Sequence, residues 1–269
     1  MTAAAGADAT EERRMSVLDL FRLDGQTAVV TGGGKGIGRG IALSLAEAGA
    51  DVAIAARSRE DVEAVAAEIC ALGRRAGAYV VDVTVTGELD QLADTVVADF
   101  GALTVWVNNA GGLPDATPRY LIRTPDDRWD AQMDLNLKAV WAGAVAAAKR
   151  MTAGGAIINT SSRAAFGGHV KNGPYAAAKA AVNSLTRTLA LETAPAIRVN
   201  AIAPGPIRTQ NFDESIRLDE ARAEAFLTSL AIPLKRYGTP ADIGAAAVFL
   251  ASPAASWITG QCLYVTGGG

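Results

Sequence analysis

Seven short runs of apolar and β-branched residues alternate with six longer helical patterns along the whole chain, and this alternation limits the fold more than any other feature. The strand-like runs are Thr27–Thr31, Val52–Ala56, Ala78–Asp82, Val105–Asn108, Ala156–Asn159, Ile197–Ala201 and Cys262–Val265. Helical patterns occupy Gly36–Ala48, Arg59–Leu72, Thr86–Phe100, Pro125–Met151, Pro174–Thr193 and Pro240–Ala251. Strands that are apolar on both faces, each followed by a helix, pack as a parallel sheet with helices on both sides. Right-handed crossovers then predict a single doubly wound α/β domain, with a parallel sheet of about seven strands and a ligand crevice at their carboxyl ends. One stretch breaks the alternation. Pro204–Arg236 is long, charged and weakly helical, and is expected to form a lid.

Composition narrows the function. A net charge of −3, with no cluster of Lys and Arg, speaks against a nucleic-acid surface. No apolar run is long enough to cross a membrane, and residues 1–16 lack the apolar segment of a signal peptide. Those sixteen residues read as a flexible tail before a domain spanning 17–269. Cys70 and Cys262 are 192 positions apart and are expected to be buried thiols, not a disulfide, which fits a cytoplasmic protein. One histidine and two scattered cysteines make no metal-binding cluster, so no metal site is expected.

The stretch Thr31-Gly32-Gly33-Gly34-Lys35-Gly36-Ile37-Gly38 follows the first strand and opens the first helix. Glycines there let the backbone approach a pyrophosphate, while the helix N-terminus offers unpaired N–H groups and partial positive charge. Gly32, Gly34, Lys35, Gly36, Ile37 and Gly38 are therefore candidate dinucleotide contacts. Folds that prefer NAD carry an acid at the end of the second strand, about 20 residues on. Here that position reads Ala55-Ala56-Arg57-Ser58-Arg59. The missing acid, the Arg57 guanidinium next to Ser58, and Lys35 in the turn together point to the 2′-phosphate of NADP(H).

Tyr175 and Lys179 are four apart at the start of an Ala-rich helix, hence on one face. A nearby cation is expected to lower the phenol pKa and poise Tyr175 for proton exchange with an alcohol oxygen. Ser162 ends the fifth strand thirteen residues earlier and can hydrogen-bond the same oxygen.

With these residues in place the chain resembles the short-chain dehydrogenase/reductases from about Leu23 to Gly268, which implies a Rossmann-like domain. The resemblance implies a catalytic tetrad of Asn136, Ser162, Tyr175 and Lys179, with the Asn backbone holding a water and Lys179 also gripping the nicotinamide ribose. It implies an adenine contact at Asp82 and Val83, and a structural segment Asn108-Asn109-Ala110-Gly111 in which Asn109, Ala110 and Gly111 border the cofactor. It also implies nicotinamide contacts in the turn after the sixth strand, at Pro204, Gly205, Ile207 and Thr209. The family's usual Val-Asp-Gly-Gly stands here as Val265-Thr266-Gly267-Gly268, which blurs how subunits would pair. The family habit of assembly implies a homotetramer, or a homodimer.

The reaction class so implied is hydride transfer between NADP(H) and a secondary alcohol or ketone. The sequence is similar to both 3-oxoacyl-carrier-protein reductases and 7α-type hydroxysteroid dehydrogenases. A lid mixing Phe212, Ile216, Leu218, Phe226, Leu227 and Leu230 with charges suits a bulky apolar ligand, steroid-like or acyl. Phe166, His169 and Phe226 are then expected to line the substrate pocket. The alternative is a non-catalytic NADP(H)-sensing regulator, which would be expected to lack the Tyr or the Lys.

Overall fold

The apolar runs pair as expected. The computed structural model describes residues 16–209, 212–213 and 220–269. Most of the expected tail, and residues 210–211 and 214–219 of the expected lid with Ile216 and Leu218, lie outside the described residues. Seven strands form one sheet: β1 (Thr27–Thr31), β2 (Asp51–Ala56), β3 (Ala76–Val80), β4 (Val105–Asn108), β5 (Gly155–Thr160), β6 (Ile197–Pro204) and β7 (Cys262–Val265). Their order is β3-β2-β1-β4-β5-β6-β7, and every pairing is parallel. The order reverses between β1 and β4, and this Rossmann-like α/β arrangement opens its crevice there.

The strand residues alternate between two apolar layers. Ala28, Val30, Val52, Ile54, Val105, Val107, Ile158 and Ile202 pack with Ile41 and Leu45 of α1 (Gly36–Glu47), Val62 and Ile69 of α2 (Arg59–Ala71), and Ile243 and Leu250 near the C-terminus. Val29, Ala53, Ala55, Trp106, Ile157 and Val199 face the other way, toward Leu89 and Val96 of α3 (Thr86–Phe100), Ala144 and Ala147 of α5 (Ala139–Arg150) and Leu189 of α6 (Gly173–Thr193). Period-2 geometry thus divides continuous apolar strands into two cores. Further helices are α4 (Asp126–Met133), α7 (Glu220–Ser229) and α8 (Pro240–Ala251).

A polar chain runs through the second core. Trp106 Nε1 donates to Asn108 Oδ1 at 2.7 Å, Asn108 Nδ2 donates to Val140 O at 3.1 Å and Asn159 Oδ1 at 2.9 Å, and Asn159 Nδ2 donates to Thr186 Oγ1 at 3.0 Å. A β-carbon on Gly143 would sit 2.2 Å from Asn108 Oδ1, so only glycine lets α5 approach this chain.

Several elements differ from expectation. β3 begins and ends two residues early because its pairing with β2 starts at Val52–Ala76, leaving Asp82 in the loop beyond. The helix expected over Pro125–Met151 carries a π-turn at Asp134–Lys138, where the Ala139 N–H bonds to Asp134 O. Cys70 is exposed instead of buried, because Val62, Val65 and Ile69 take the core face of α2. Cys262 is half-buried and, like Cys70, is a free thiol. Among the described residues no helix is long and apolar enough to cross a membrane, and no cluster could hold a metal ion.

Candidate active site

A cavity of ≈ 740 Å³ opens at the carboxyl ends of the strands, beside the reversal point. One end is the glycine turn, where Gly32 and Gly36 take positive φ of 64° and 52°. A β-carbon on Gly38 would lie 2.0 Å from Gly32 O, so the turn closes only without one. Lys35, the N-cap residue of α1, makes no side-chain cap, which leaves the first N–H groups of that helix facing the cavity. Thr31 ties the turn to the end of β4: its hydroxyl accepts from Asn109 N and Ala110 N, both at 3.1 Å, and donates to Val107 O at 3.2 Å. Asn109 Nδ2 completes the link by donating to Thr31 O and Gly32 O.

The wall beside the glycine turn is formed by Ala56, Arg57, Ser58, Asp61 and Val81–Thr84. Arg57 is exposed there and makes no ion pair among the described residues. Lys35, read from the sequence as a second cation beside Arg57, pairs with Asp61 at 3.0 Å, a partner that sequence reasoning missed. The Lys35 hydrogen bond, followed by that from Ser58, holds the Asp61 carboxyl below its usual range. Asp82 folds back on its own loop, accepting from Thr84 Oγ1 at 2.7 Å and Thr84 N at 3.0 Å, and these bonds lower its pKa.

At the other end, Thr160, Ser161, Ser162, Tyr175 and Lys179 come together on the cavity wall. Lys179 is buried and its Nζ donates to Thr160 O at 2.8 Å; burial pushes its pKa down to about 8. Ser161 donates to Lys179 O at 3.3 Å and so anchors α6 to the end of β5. The Ser162 hydroxyl accepts from Ala164 N at 3.1 Å and lies near the Tyr175 hydroxyl. Burial raises the Tyr175 pKa, only partly opposed by Ser162. This corrects the expectation of a phenol already acidified by Lys179, whose ammonium is 5.8 Å from the centre of the Tyr175 ring and directed at a carbonyl. Asn136 is fully buried in the π-turn. Its Nδ2 donates to Gly112 O and Gln132 Oε1, both at 2.9 Å, and its Oδ1 accepts from Gly112 N at 2.9 Å. A β-carbon on Gly111 would meet Asn136 Oδ1 at 2.9 Å and Lys179 Nζ at 3.1 Å, which places these two polar groups side by side.

Gly32, Gly34, Lys35, Gly36, Ile37, Gly38, Arg57, Ser58, Asp82, Val83, Asn109, Ala110, Gly111, Pro204, Gly205 and Thr209 all border this cavity. Ile207 does not; its side chain is buried in the first core, and its backbone pairs with Gly238. The three residues expected at the substrate are also placed elsewhere. Phe166 stacks on Tyr264 at 4.1 Å, Phe226 packs against Phe212 at 6.5 Å, and half-buried His169 borders neither this cavity nor the second one described below. Apolar loop residues show no periodicity that would fix their direction. Gly112, Pro114, Ala131, Asp134 and Leu135 also border the main cavity. The i,i+4 spacing of Gln132 and Asn136 was the available signal for the clamp on Gly112.

The arrangement fits a dinucleotide. The glycine turn leaves room for phosphates, and Thr160 Oγ1, buried at the cavity wall, has no hydrogen-bond partner among the described residues.

The family model for enoyl-(acyl carrier protein) reductase matches residues 32–269. An uncharacterized oxidoreductase of Mycobacterium tuberculosis is 44% identical over 94% of this chain and 95% of its own length. The solved 7α-hydroxysteroid dehydrogenase, complexed with NADH and 7-oxo glycochenodeoxycholic acid, superposes with a TM-score of 0.86 at 37% identity, covering 95% of this chain and 98% of that one. A candidate NAD(P)-dependent gluconate 5-dehydrogenase from Beutenbergia cavernae, solved with NADP bound at low occupancy, matches with a TM-score of 0.84 at 39% identity, covering 93% and 98%.

Proposed function

Because the chain belongs to the short-chain dehydrogenase/reductase family, oxidoreductases that act on CH–OH groups with a nicotinamide cofactor, we propose that it moves hydride between NADP(H) and a secondary alcohol or ketone. The observation that carries this reading is the meeting of Ser162, Tyr175 and Lys179 on the wall of a cavity whose far end is the glycine turn. The nicotinamide, when bound, supplies the hydride for reduction and accepts it in oxidation. In reduction the Tyr175 hydroxyl gives its proton to the carbonyl oxygen while Ser162 donates a hydrogen bond to the same atom. Lys179, its ammonium set by Thr160 O and neighboured by Asn136, stands 5.8 Å from the centre of the Tyr175 ring and would grip the nicotinamide ribose. Burial raises the Tyr175 pKa further above neutrality, so the phenol carries its proton at neutral pH.

NADP(H) is favoured because no acid ends β2 and Arg57 is exposed at the cavity rim, where two parallel N–H bonds can meet a phosphate. Gly32 to Gly38 would hold the pyrophosphate, Asp82 and Val83 the adenine, Asn109 to Gly111 the middle of the cofactor, and Pro204, Gly205 and Thr209 the nicotinamide end. Likeness to a hydroxysteroid dehydrogenase supports a ring or acyl ketone as substrate. A cytoplasmic homotetramer completes the reading; exposed Trp141 on α5 and Tyr264 on β7 support subunit contacts. The test is a panel of ketones and alcohols followed by cofactor absorbance with NADPH, NADP, NADH and NAD. Turnover of a ketone with NADPH is expected, and absence of turnover with every cofactor would overturn the assignment.

A further inference from the structure

Beside the main cavity lies a second of ≈ 300 Å³, and Tyr175 borders both. Its walls come from the segment after β4, from α4 and from the loop leading into α6, and a backbone bond from Arg119 N to Lys171 O at 3.3 Å ties the first of these to the last. Three cations border it, Arg119, Arg128 and Lys171, against one carboxylate, Asp115. Asp115 is committed to Arg128 and also accepts from Thr117 N at 2.7 Å. Arg119 and Lys171 have no ion-pair partner among the described residues.

Lys171 is fixed in an unusual way. Its φ is +68°, a left-handed conformation that costs a residue with a side chain free energy, and its ammonium lies 5.3 Å from the centre of the Tyr120 ring. Strain of that kind persists only where the surroundings hold it, and here it keeps a cation beside the cavity next to the proton donor. A wholly apolar ligand would gain nothing from two uncompensated cations, whereas an anionic oxygen group could bond to both.

We propose that the second cavity binds an anionic group, carboxylate or phosphate, on the substrate, so that the enzyme acts on oxo or hydroxy compounds carrying a negative charge. The inference rests on the proposed reaction, because the substrate would span from Tyr175 to Arg119 and Lys171.

The test starts with binding, measured by calorimetry on the wild-type protein in the presence of NADP. The probes are 4-oxocyclohexanecarboxylate against its methyl ester, and dihydroxyacetone phosphate against dihydroxyacetone. The charged member of at least one pair should bind about tenfold more tightly, with the preference falling as salt is raised. The pair that shows it identifies the group. Equal affinity within both pairs, or no binding by any probe, overturns the proposal. In Arg119→Gln, and in Lys171→Asn, which tolerates the left-handed backbone, the charged-over-neutral preference should fall. An unchanged preference in both variants also overturns it. NADPH turnover of the same probes separates the two readings. Neutral ketones reduced without any charge preference leave the reaction standing and remove the anion site, whereas charged probes bound but never reduced with any cofactor remove the reaction and leave the site.

Discussion

The two ends of the main cavity are built by opposite means. At the glycine-turn end, backbone does the work: a glycine turn, a helix N-terminus and the Thr31 hydroxyl leave so little room that one added carbon at Gly38 would overlap a carbonyl. At the Tyr175 end, side chains from the end of β5 and from α6 do it, and Gly112 there has nothing within 4 Å of an added β-carbon. The first end is specific because it is crowded. The second is open, and its selectivity has to come from charge and reach.

The largest effect is expected where the two ends meet. Tyr175→Phe should lower ketone reduction by about 10²–10⁴-fold while NADPH affinity, read by fluorescence titration, stays near wild type. Reduction within tenfold of wild type would remove Tyr175 as proton donor. Next, Gly38→Ala should abolish NADPH binding and lower the unfolding temperature, costing about 1–3 kcal/mol by overpacking. Gly168→Ala should leave both within experimental error. Gly168 lies on an open loop that borders neither cavity, so similar behaviour in these two variants would remove the crowding of the glycine turn. Third, Arg57→Ala should weaken NADPH by roughly tenfold and NADH hardly at all, since only one of them carries the phosphate. Equal wild-type affinities for the two cofactors would refute the NADP(H) reading.

The smallest effect is on stability. Burial holds Lys179 at about 8, below the ordinary lysine value of 10.5. Between these values the unfolded chain binds more protons than the folded one, so the stability of the cofactor-free protein should rise with pH across that window. Below it the full cost of burying the charge is present. Lys179→Met should therefore unfold at a higher temperature than wild type at pH 7, the gap closing above pH 8. Calorimetric scans of both proteins from pH 7 to pH 10 check this, and a wild type more stable than the variant at pH 7 would contradict it.

The same division governs what the sequence reveals. The sheet, the glycine turn and the helix bearing Tyr175 and Lys179 are legible because apolar period, glycine spacing and an i,i+4 pair are properties of adjacent residues. The start of β3 was misplaced because Ala76 and Gly77 are small and join the strand only by pairing with β2. The π-turn around Asn136 has no compositional mark. The Lys35–Asp61 pair depends on α2 bringing Asp61 over the glycine turn, a tertiary fact. Phe166 is expected near the pocket because Ser162 and Tyr175 bracket its loop, and Phe226 because the lid is amphipathic; neither signal fixes the direction of a side chain, and each ring packs against another aromatic ring.

The polar chain through Trp106, Asn108, Asn159 and Thr186 has one more consequence, and it concerns alignment. β4 and β5 are apolar on both faces, so sliding one past the other by a single pleat would exchange like for like almost everywhere. Asn108 and Asn159 are direct partners across that boundary. A two-residue slip would part them and strand their buried amides, at about 1–3 kcal/mol for each group left unpaired. It would also carry Ser162 some ~6–7 Å along the strand axis relative to Gly111, at about 3.3 Å per residue. Two asparagines deep in the sheet therefore act as a key for the proton-transfer site, cut several residues before either strand reaches it.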